Sequence, residues 1–272
     1  MHYTLMHISD LHTGWHFDMQ VAEQLARQAH EIRPDLLVIS GDLVLRADIT
    51  TQWNVITAFL NMLPQPQLIV PGNHDVSLFN GLYRLFAPLK RYRRYITPNL
   101  NPVFSRPGLA VVGGCSAHGL TIDGGWLYPD QIRALDTSLA QFGTDTCKIL
   151  VLHHHIAQAP GVKDRAMIAN KHAAIRLMEK HQVELFLCGH VHLSYIATTR
   201  TILPDMRQNV IISQCGTTTS RRGRGNDHRK NSFHLLTIDD HTIQITPYYY
   251  QPDSSQFSPT QQQTFQRHRD DL

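Results

Sequence analysis

The chain has 272 residues, of which 42% are apolar and 17% charged, a composition that suits a soluble protein with a substantial core. A net charge of +3 is too small by itself to mark a nucleic-acid-binding protein. No apolar stretch approaches the roughly 20 residues that span a bilayer, and the first apolar run starts almost at Met1, which leaves no room for a signal peptide and makes a cytoplasmic location the expectation.

Residues 3–9 form the first apolar run, read as a buried strand, and end at Asp10-Leu11-His12. Apolar residues three and four apart predict a helix over Met19–Ile32, and a second strand at 35–40 closes on Gly41-Asp42-Leu43. A helical pattern at 51–63 leads to a strand at 67–70 and then to Gly72-Asn73-His74-Asp75. The basic stretch Lys90–Tyr95 reads first as a solvated helix end whose arginine stems cover core residues, and second as a contact for an anionic substrate or a nucleic acid backbone. A strand ends near Gly114, and the segment 116–128 before a helix starting at Pro129 holds His118 and Trp126; core packing is the expected role of Trp126, and lining a substrate crevice is the other.

The fourth run, 148–152, ends at His153-His154-His155. After a helix over 170–181, the fifth, 184–188, ends at Gly189-His190-Val191-His192. Strands at 209–213 and 232–238 bracket a loop in which Arg221, Arg222 and Arg224 alternate with glycines, suited to holding phosphate and equally readable as a plain hairpin loop. From residue 251 the composition turns to Gln, Ser, Pro and Asp, so one domain over 1–250 with a loosely attached tail over 251–272 is expected. Alternation of strand and helix predicts an α/β fold with the polar patches at the C-terminal ends of strands.

Asp10, His12, Asp42, Asn73, His153, His190 and His192 offer oxygen and nitrogen donors without a thiolate, a set suited to Mn, Fe or Zn. Seven donors exceed the needs of one ion. A shared carboxylate, most simply Asp42, would hold two ions about 3.5 to 4 Å apart, the spacing that suits phosphoester chemistry. In Asp10-x-His12 and His190-x-His192, residues two apart on an extended segment project to one side and would converge on one centre. Gly41 and Gly72 would let the chain turn sharply beside the ligands. Any one patch alone is a turn or a cap; the ordered set of five carries the inference. Cys115, Cys147, Cys188 and Cys215 have no paired spacing and are expected as buried free thiols.

Together these patches, spread over residues 10–192, resemble the pattern of the calcineurin-like metallophosphoesterases, in particular the bacterial branch of class III cyclic-nucleotide phosphodiesterases. The resemblance implies a two-sheet mixed β-sandwich flanked by helices, four layers in the order αββα, with a dinuclear centre at one end. It implies one ion among Asp10, His12, Asp42 and His192, and another among Asp42, Asn73, His153 and His190. His74 would face the substrate and protonate the leaving oxygen or stabilise charge on phosphorus, with Asp75 orienting its ring. Such relatives carry His-His-Pro-Pro where this chain has His153-His154-His155-Ile156. His153 aligns as the ligand because it follows 149–152 directly, a slip of one residue nominates His154, and His155 falls to a surface or supporting role.

The implied substrate is a phosphodiester, cyclic or linear, of a phosphorylated small molecule or nucleotide, with nucleic acid less favoured and the oligomeric state open. Three rivals follow from the same resemblance. A nucleotide-lipid pyrophosphatase like the UDP-2,3-diacylglucosamine hydrolases needs an apolar cap, for which the chain offers only 78–95. A DNA nuclease would lack its large capping domain. A non-catalytic scaffold is opposed by the intact His74 and full ligand set.

Overall fold

The computed structural model describes residues 1–79, 81–158 and 166–267. The chain runs β1 (His2–Ile8), α1 (Met19–Ile32), β2 (Leu36–Ile39), α2 (Thr50–Asn61), β3 (Gln67–Ile69), α3 (Gly81–Phe86) and α4 (Lys90–Tyr95). It continues through β4 (Val103–Arg106), β5 (Leu109–Gly113), α5 (Pro129–Leu139), β6 (Cys147–Val151), α6 (Lys171–His181), β7 (Leu185–Cys188), β8 (Tyr195–Thr198), α7 (Thr199–Ile202) and β9 (Ile211–Gln214). It closes with β10 (Ser232–Asp239), β11 (Thr242–Gln251), β12 (Gln256–Pro259) and β13 (Gln263–Gln266).

Two sheets share the strands. One has the order β12-β11-β10-β1-β2-β3, with β13 also on β11; the other has the order β4-β5-β6-β7-β9-β8. Strands β1, β2 and β3 are mutually parallel, as are β5, β6, β7 and β9, so the turns that carry the candidate ligands leave both sheets at one end.

Strand periodicity assigns side chains to layers. Leu5, Leu36, Val38 and Leu68 meet Val111, Ile149, Val151 and Leu187 between the sheets. Met6, Ile8, Leu37 and Ile39 face the other way and pack on Val21, Leu25, Trp53 and Ile56 of α1 and α2. Val112, Leu150 and Phe186 pack on Leu135, Leu139, Leu177 and Met178 of α5 and α6. This is the expected four-layer α/β sandwich. β2 and β7 are buried on every residue, which is why their sequences are apolar throughout instead of alternating. All four cysteines are buried free thiols.

The C-terminal segment differs from expectation. It adds β12 and β13 to opposite ends of β11 and is fastened by Arg267, which makes a buried bidentate pair with Glu184 at 2.9 and 2.7 Å. Phe257 of β12 is buried against Phe233. The last part of the expected tail, 268–272, lies outside the described residues. Trp126 is also corrected: it is 40% exposed, not a core residue. In α4 the arginines serve local partners: Arg91 donates to Thr50 Oγ1, Arg93 to the Pro98 carbonyl, and Arg94 lies over the Tyr95 ring. Tyr92 is the buried member of that helix, its hydroxyl donating to the Ile69 carbonyl.

Candidate metal centre

Backbone geometry delivers the candidate ligands in an unforeseen way. Asp10, His12, Asp42, His190 and His192 have φ of 53°, 49°, 54°, 72° and 59°, all in the left-handed region. The paired ligands therefore converge through left-handed turns rather than by alternation along an extended segment. Each such residue costs on the order of 1–2 kcal/mol, and five of them at one end of the sheets are held only because the surroundings dictate them. The ladder between the first two strands runs on past their ends to hold these turns: Asp10 N donates to Gly41 O and His12 N to Asp42 O, each at 3.0 Å. Gly41 has a φ of +97°, and a Cβ on Gly72 would collide with Asp42 Oδ1.

Two groups of donors result. Asp10, His12, Asp42 and His192 present ligand atoms within 4.8 Å of one another, all buried. His12 Nε2 lies 2.9 Å from His192 Nε2 and 3.6 Å from Asp42 Oδ2, and Asp10 Oδ1 lies 3.2 Å from His192 Nε2. On the other side of Asp42, His153 Nε2 lies 3.3 Å from Asp42 Oδ1 and 3.1 Å from Asn73 Oδ1, which is 3.0 Å from His190 Nδ1. Asp42 thus turns one oxygen to each group. His153 is the residue at this junction. His154 stands beside it, with Nδ1 2.8 Å from Ser116 Oγ, and shares with His153 and His190 a second cluster of metal-competent atoms. His155 is buried and stacked on His190 at 5.7 Å.

The donor set fits two cations. His153 Nδ1 is 2.7 Å from the Ser40 carbonyl and His192 Nδ1 is 3.0 Å from the Arg222 carbonyl, so each carries its proton there and turns the Nε2 lone pair inward. Those lone pairs face carboxylate and amide oxygens, an arrangement that a cation reconciles. Among the described residues, Asp10 Oδ1 and His190 Nε2 are buried and find no hydrogen-bond partner. Burial alone would raise the Asp10 and Asp42 carboxyls, but the facing imidazoles, His192 at Asp10 and His153 at Asp42, hold both well below the usual carboxylate range. Burial also holds His12 and His190 neutral, well below the ordinary imidazole value. At His153 burial is outweighed by Asp42, which lifts the imidazole to about 9; a cation between the two would take the place of that proton.

Around this centre the remaining expected residues separate. His74 N donates to Asp42 Oδ1 at 2.8 Å, and its ring is fixed by Nδ1 lying 2.8 Å from the Leu45 carbonyl. Asp75 does not orient that ring. Its carboxylate accepts from Leu43 N, Val44 N and Gly72 N at 3.0, 3.2 and 2.8 Å, because consecutive residues of the 3₁₀ turn Asn73–Asp75 point in different directions. Burial, with Asp42 adding to it, pushes Asp75 up to about 7.

Of the three loop arginines, Arg222 places its guanidinium at the centre, with Nη1 3.2 Å from His74 Nε2 and 3.3 Å from His12 Nε2. Arg221 instead forms a bidentate pair with Asp18 at 3.1 and 2.9 Å, and Arg224 contributes its backbone, N donating to the His192 carbonyl. Sequence reasoning missed Arg46, whose Nη1 is 3.4 Å from His74 Nδ1, and Asp123, 4.0 Å from His190 Nε2. Neither sits in a patterned motif. It also missed Ser9, which donates to Asp10 Oδ2 at 2.8 Å and whose place beside the first ligand was the available signal.

Residues 3–194 match the calcineurin-like phosphoesterase family. The chain is 23% identical over 187 residues to a probable cyclic nucleotide phosphodiesterase of Xenorhabdus bovienii (strain SS-2004), covering 67% of this chain and 70% of that protein. It is 27% identical over 167 residues to the glycerophosphodiester phosphodiesterase GpdQ of Enterobacter lignolyticus (strain SCF1), covering 59% of this chain and 56% of that one. In fold it is similar to the purple acid phosphatase PPD1 of yellow lupin (Lupinus luteus) seeds, with a TM-score of 0.72 at 14% identity over 98% of this chain and 54% of the lupin chain. The chain therefore spans little more than half the length of two of these three proteins.

Proposed function

Since the chain belongs to the calcineurin-like phosphoesterase family, we propose that it is a dinuclear-metal-dependent phosphodiesterase acting on a cyclic or linear diester. The observation that carries the metal part is Asp42, one oxygen on each of two donor groups. The diester part is supported by the two relatives named as phosphodiesterases.

Asp10, His12, Asp42 and His192 would hold one ion, and Asp42, Asn73, His153 and His190 the other, with Mn, Fe or Zn suited to these donors. When bound, the ions supply Lewis acidity toward phosphoryl oxygens and a water activated at neutral pH. His74 is held with its Nδ1 proton on the Leu45 carbonyl, which leaves Nε2 facing the mouth of the site beside Arg222. Burial, and after it the Arg222 charge, hold His74 below its ordinary value against the pull of Asp42. An anionic phosphoester arriving there offsets the Arg222 charge, favours a proton on Nε2, and receives that proton on its departing oxygen. Arg222 pairs with a phosphoryl oxygen. Asp75 acts through the backbone, tying the turn that carries Asp42 to the turn that carries Asn73 and His74.

The test is hydrolysis of bis-p-nitrophenyl phosphate by chelator-stripped protein before and after Mn²⁺ is added. Activity that is absent when stripped, returns with metal and exceeds that on p-nitrophenyl phosphate is the expected result. Turnover of the monoester alone contradicts the diester assignment.

A further inference from the structure

Strand β6 lies between β5 and β7, so the turns that leave the C-terminal ends of these three strands stand side by side. The β5 turn brings Ser116, the β6 turn His153 and His154, and the β7 turn His190. Consecutive residues of an extended segment point to opposite sides, which would carry His154 away from the donors that His153 meets. Here the chain past β6 keeps the two rings together. Ring centres are 4.9 Å apart for His153 and His154, 5.1 Å for His153 and His190, and 4.6 Å for His154 and His190. The three imidazoles thus stand at the corners of a nearly regular triangle, and each offers a nitrogen within 4.8 Å of the others.

His154 is wholly buried, and its ring is held on two sides. Its backbone N donates to Ser116 Oγ at 3.3 Å, and its Nδ1 lies 2.8 Å from the same oxygen. A Cβ on Gly125 would come within 2.7 Å of His154 Cγ, so that glycine packs directly on the ring. With Nδ1 occupied at Ser116, Nε2 is turned away from it. Among the described residues this Nε2 finds no hydrogen-bond partner, the same condition as His190 Nε2. A buried ring nitrogen in that condition is unfavourable, and a cation placed among the imidazoles removes the cost.

We propose that His154 is a further protein ligand of the second ion, joining Asp42, Asn73, His153 and His190 through Nε2 while its Nδ1 proton is donated to Ser116 Oγ. This rests on the dinuclear reading above. Because the triangle shares His153 and His190 with that centre, it adds a donor to the second ion and is not a separate site. Three imidazoles beside a carboxylate and an amide favour Zn²⁺ or Co²⁺ at this position over the harder Mn²⁺.

The experiment loads chelator-stripped protein with Co²⁺ and follows it by calorimetry and by proton NMR in H₂O and D₂O. A ligand histidine whose other nitrogen keeps its proton gives a paramagnetically shifted signal that D₂O removes. The unaltered protein is expected to show such signals in excess of those that His12, His153, His190 and His192 account for, a measurement that needs no variant. His154→Phe, which keeps a flat ring against Gly125, should lose the extra signal and weaken one of the two ions by at least the roughly 10- to 100-fold that loss of an outer partner costs, leaving the other within about twofold. Two ions bound with no excess signal, and with both Kd values within about twofold in the variant, overturn the proposal and leave the dinuclear reading standing; a lower Tm of the stripped variant alongside that result would mean that His154 only packs. Fewer than two ions bound by the unaltered protein sinks the dinuclear reading itself, and the proposal with it.

Discussion

At the residue scale, arginines one position apart have different fates. Arg222 Nη1 is 3.2 Å from His74 Nε2, while Arg221 is spent on Asp18, which also caps α1 by accepting from Val21 N. If Arg222 pairs with a phosphoryl oxygen as proposed, Arg222→Ala should raise KM for bis-p-nitrophenyl phosphate about tenfold and lower kcat as well. Arg221→Ala should leave KM within about twofold, its exposed ion pair being worth little. Equal effects from the two would place the phosphate contact elsewhere on the loop. The sequence could not separate them, since both lie in one basic, glycine-rich run. The metal-competent residues were legible because each stands just past an apolar run. The role of Asp75 was not, because its neighbour His74 in sequence is not its partner in space: a 3₁₀ turn sends the two side chains apart.

Among elements, short apolar strands such as β2 and β7 were readable and the polar β12 and β13 were not. β2 and β7 are short apolar runs, the signature of strands buried on both faces. β12 and β13 carry Gln, Ser, Thr and Pro with one Phe each, and they form because β11 offers open backbone groups on its edge, a reason that leaves no periodic trace. Pro259 ends β12, a position tolerated at a sheet edge. A chain ended after residue 251 would lose these strands, uncover Phe233 and leave buried Glu184 without Arg267. Its Tm should fall by roughly 5 °C or more. An unchanged Tm would restore the reading of a loosely attached tail.

Over the whole molecule, the fold places polar groups between sheets where a plain sandwich would be apolar. His234 is buried with its ring nitrogens 2.7 Å from Ser213 Oγ and Ser194 Oγ, and burial pushes it down to about 3. Its value in the unfolded chain is about 6.5, so between those limits the unfolded state binds more protons. The stabilisation from keeping it neutral is complete above about 6.5 and is lost as pH falls toward 3. Metal-free protein should lose Tm steadily from pH 7 to pH 4, and His234→Gln should flatten that slope; parallel curves would mean another group sets the acid limit. The alternation of strands and helices foretold an α/β fold and the family resemblance implied four layers, but neither showed that left-handed turns, not strand alternation, gather the candidate ligands at one end. What they gather decides the account. Isothermal titration of chelator-stripped protein with Mn²⁺ should give two ions per chain, falling to none or to weak binding in Asp42→Ala, because both groups lose an oxygen at once. A stoichiometry of one, or two ions still bound tightly by Asp42→Ala, would contradict a centre built on a shared aspartate.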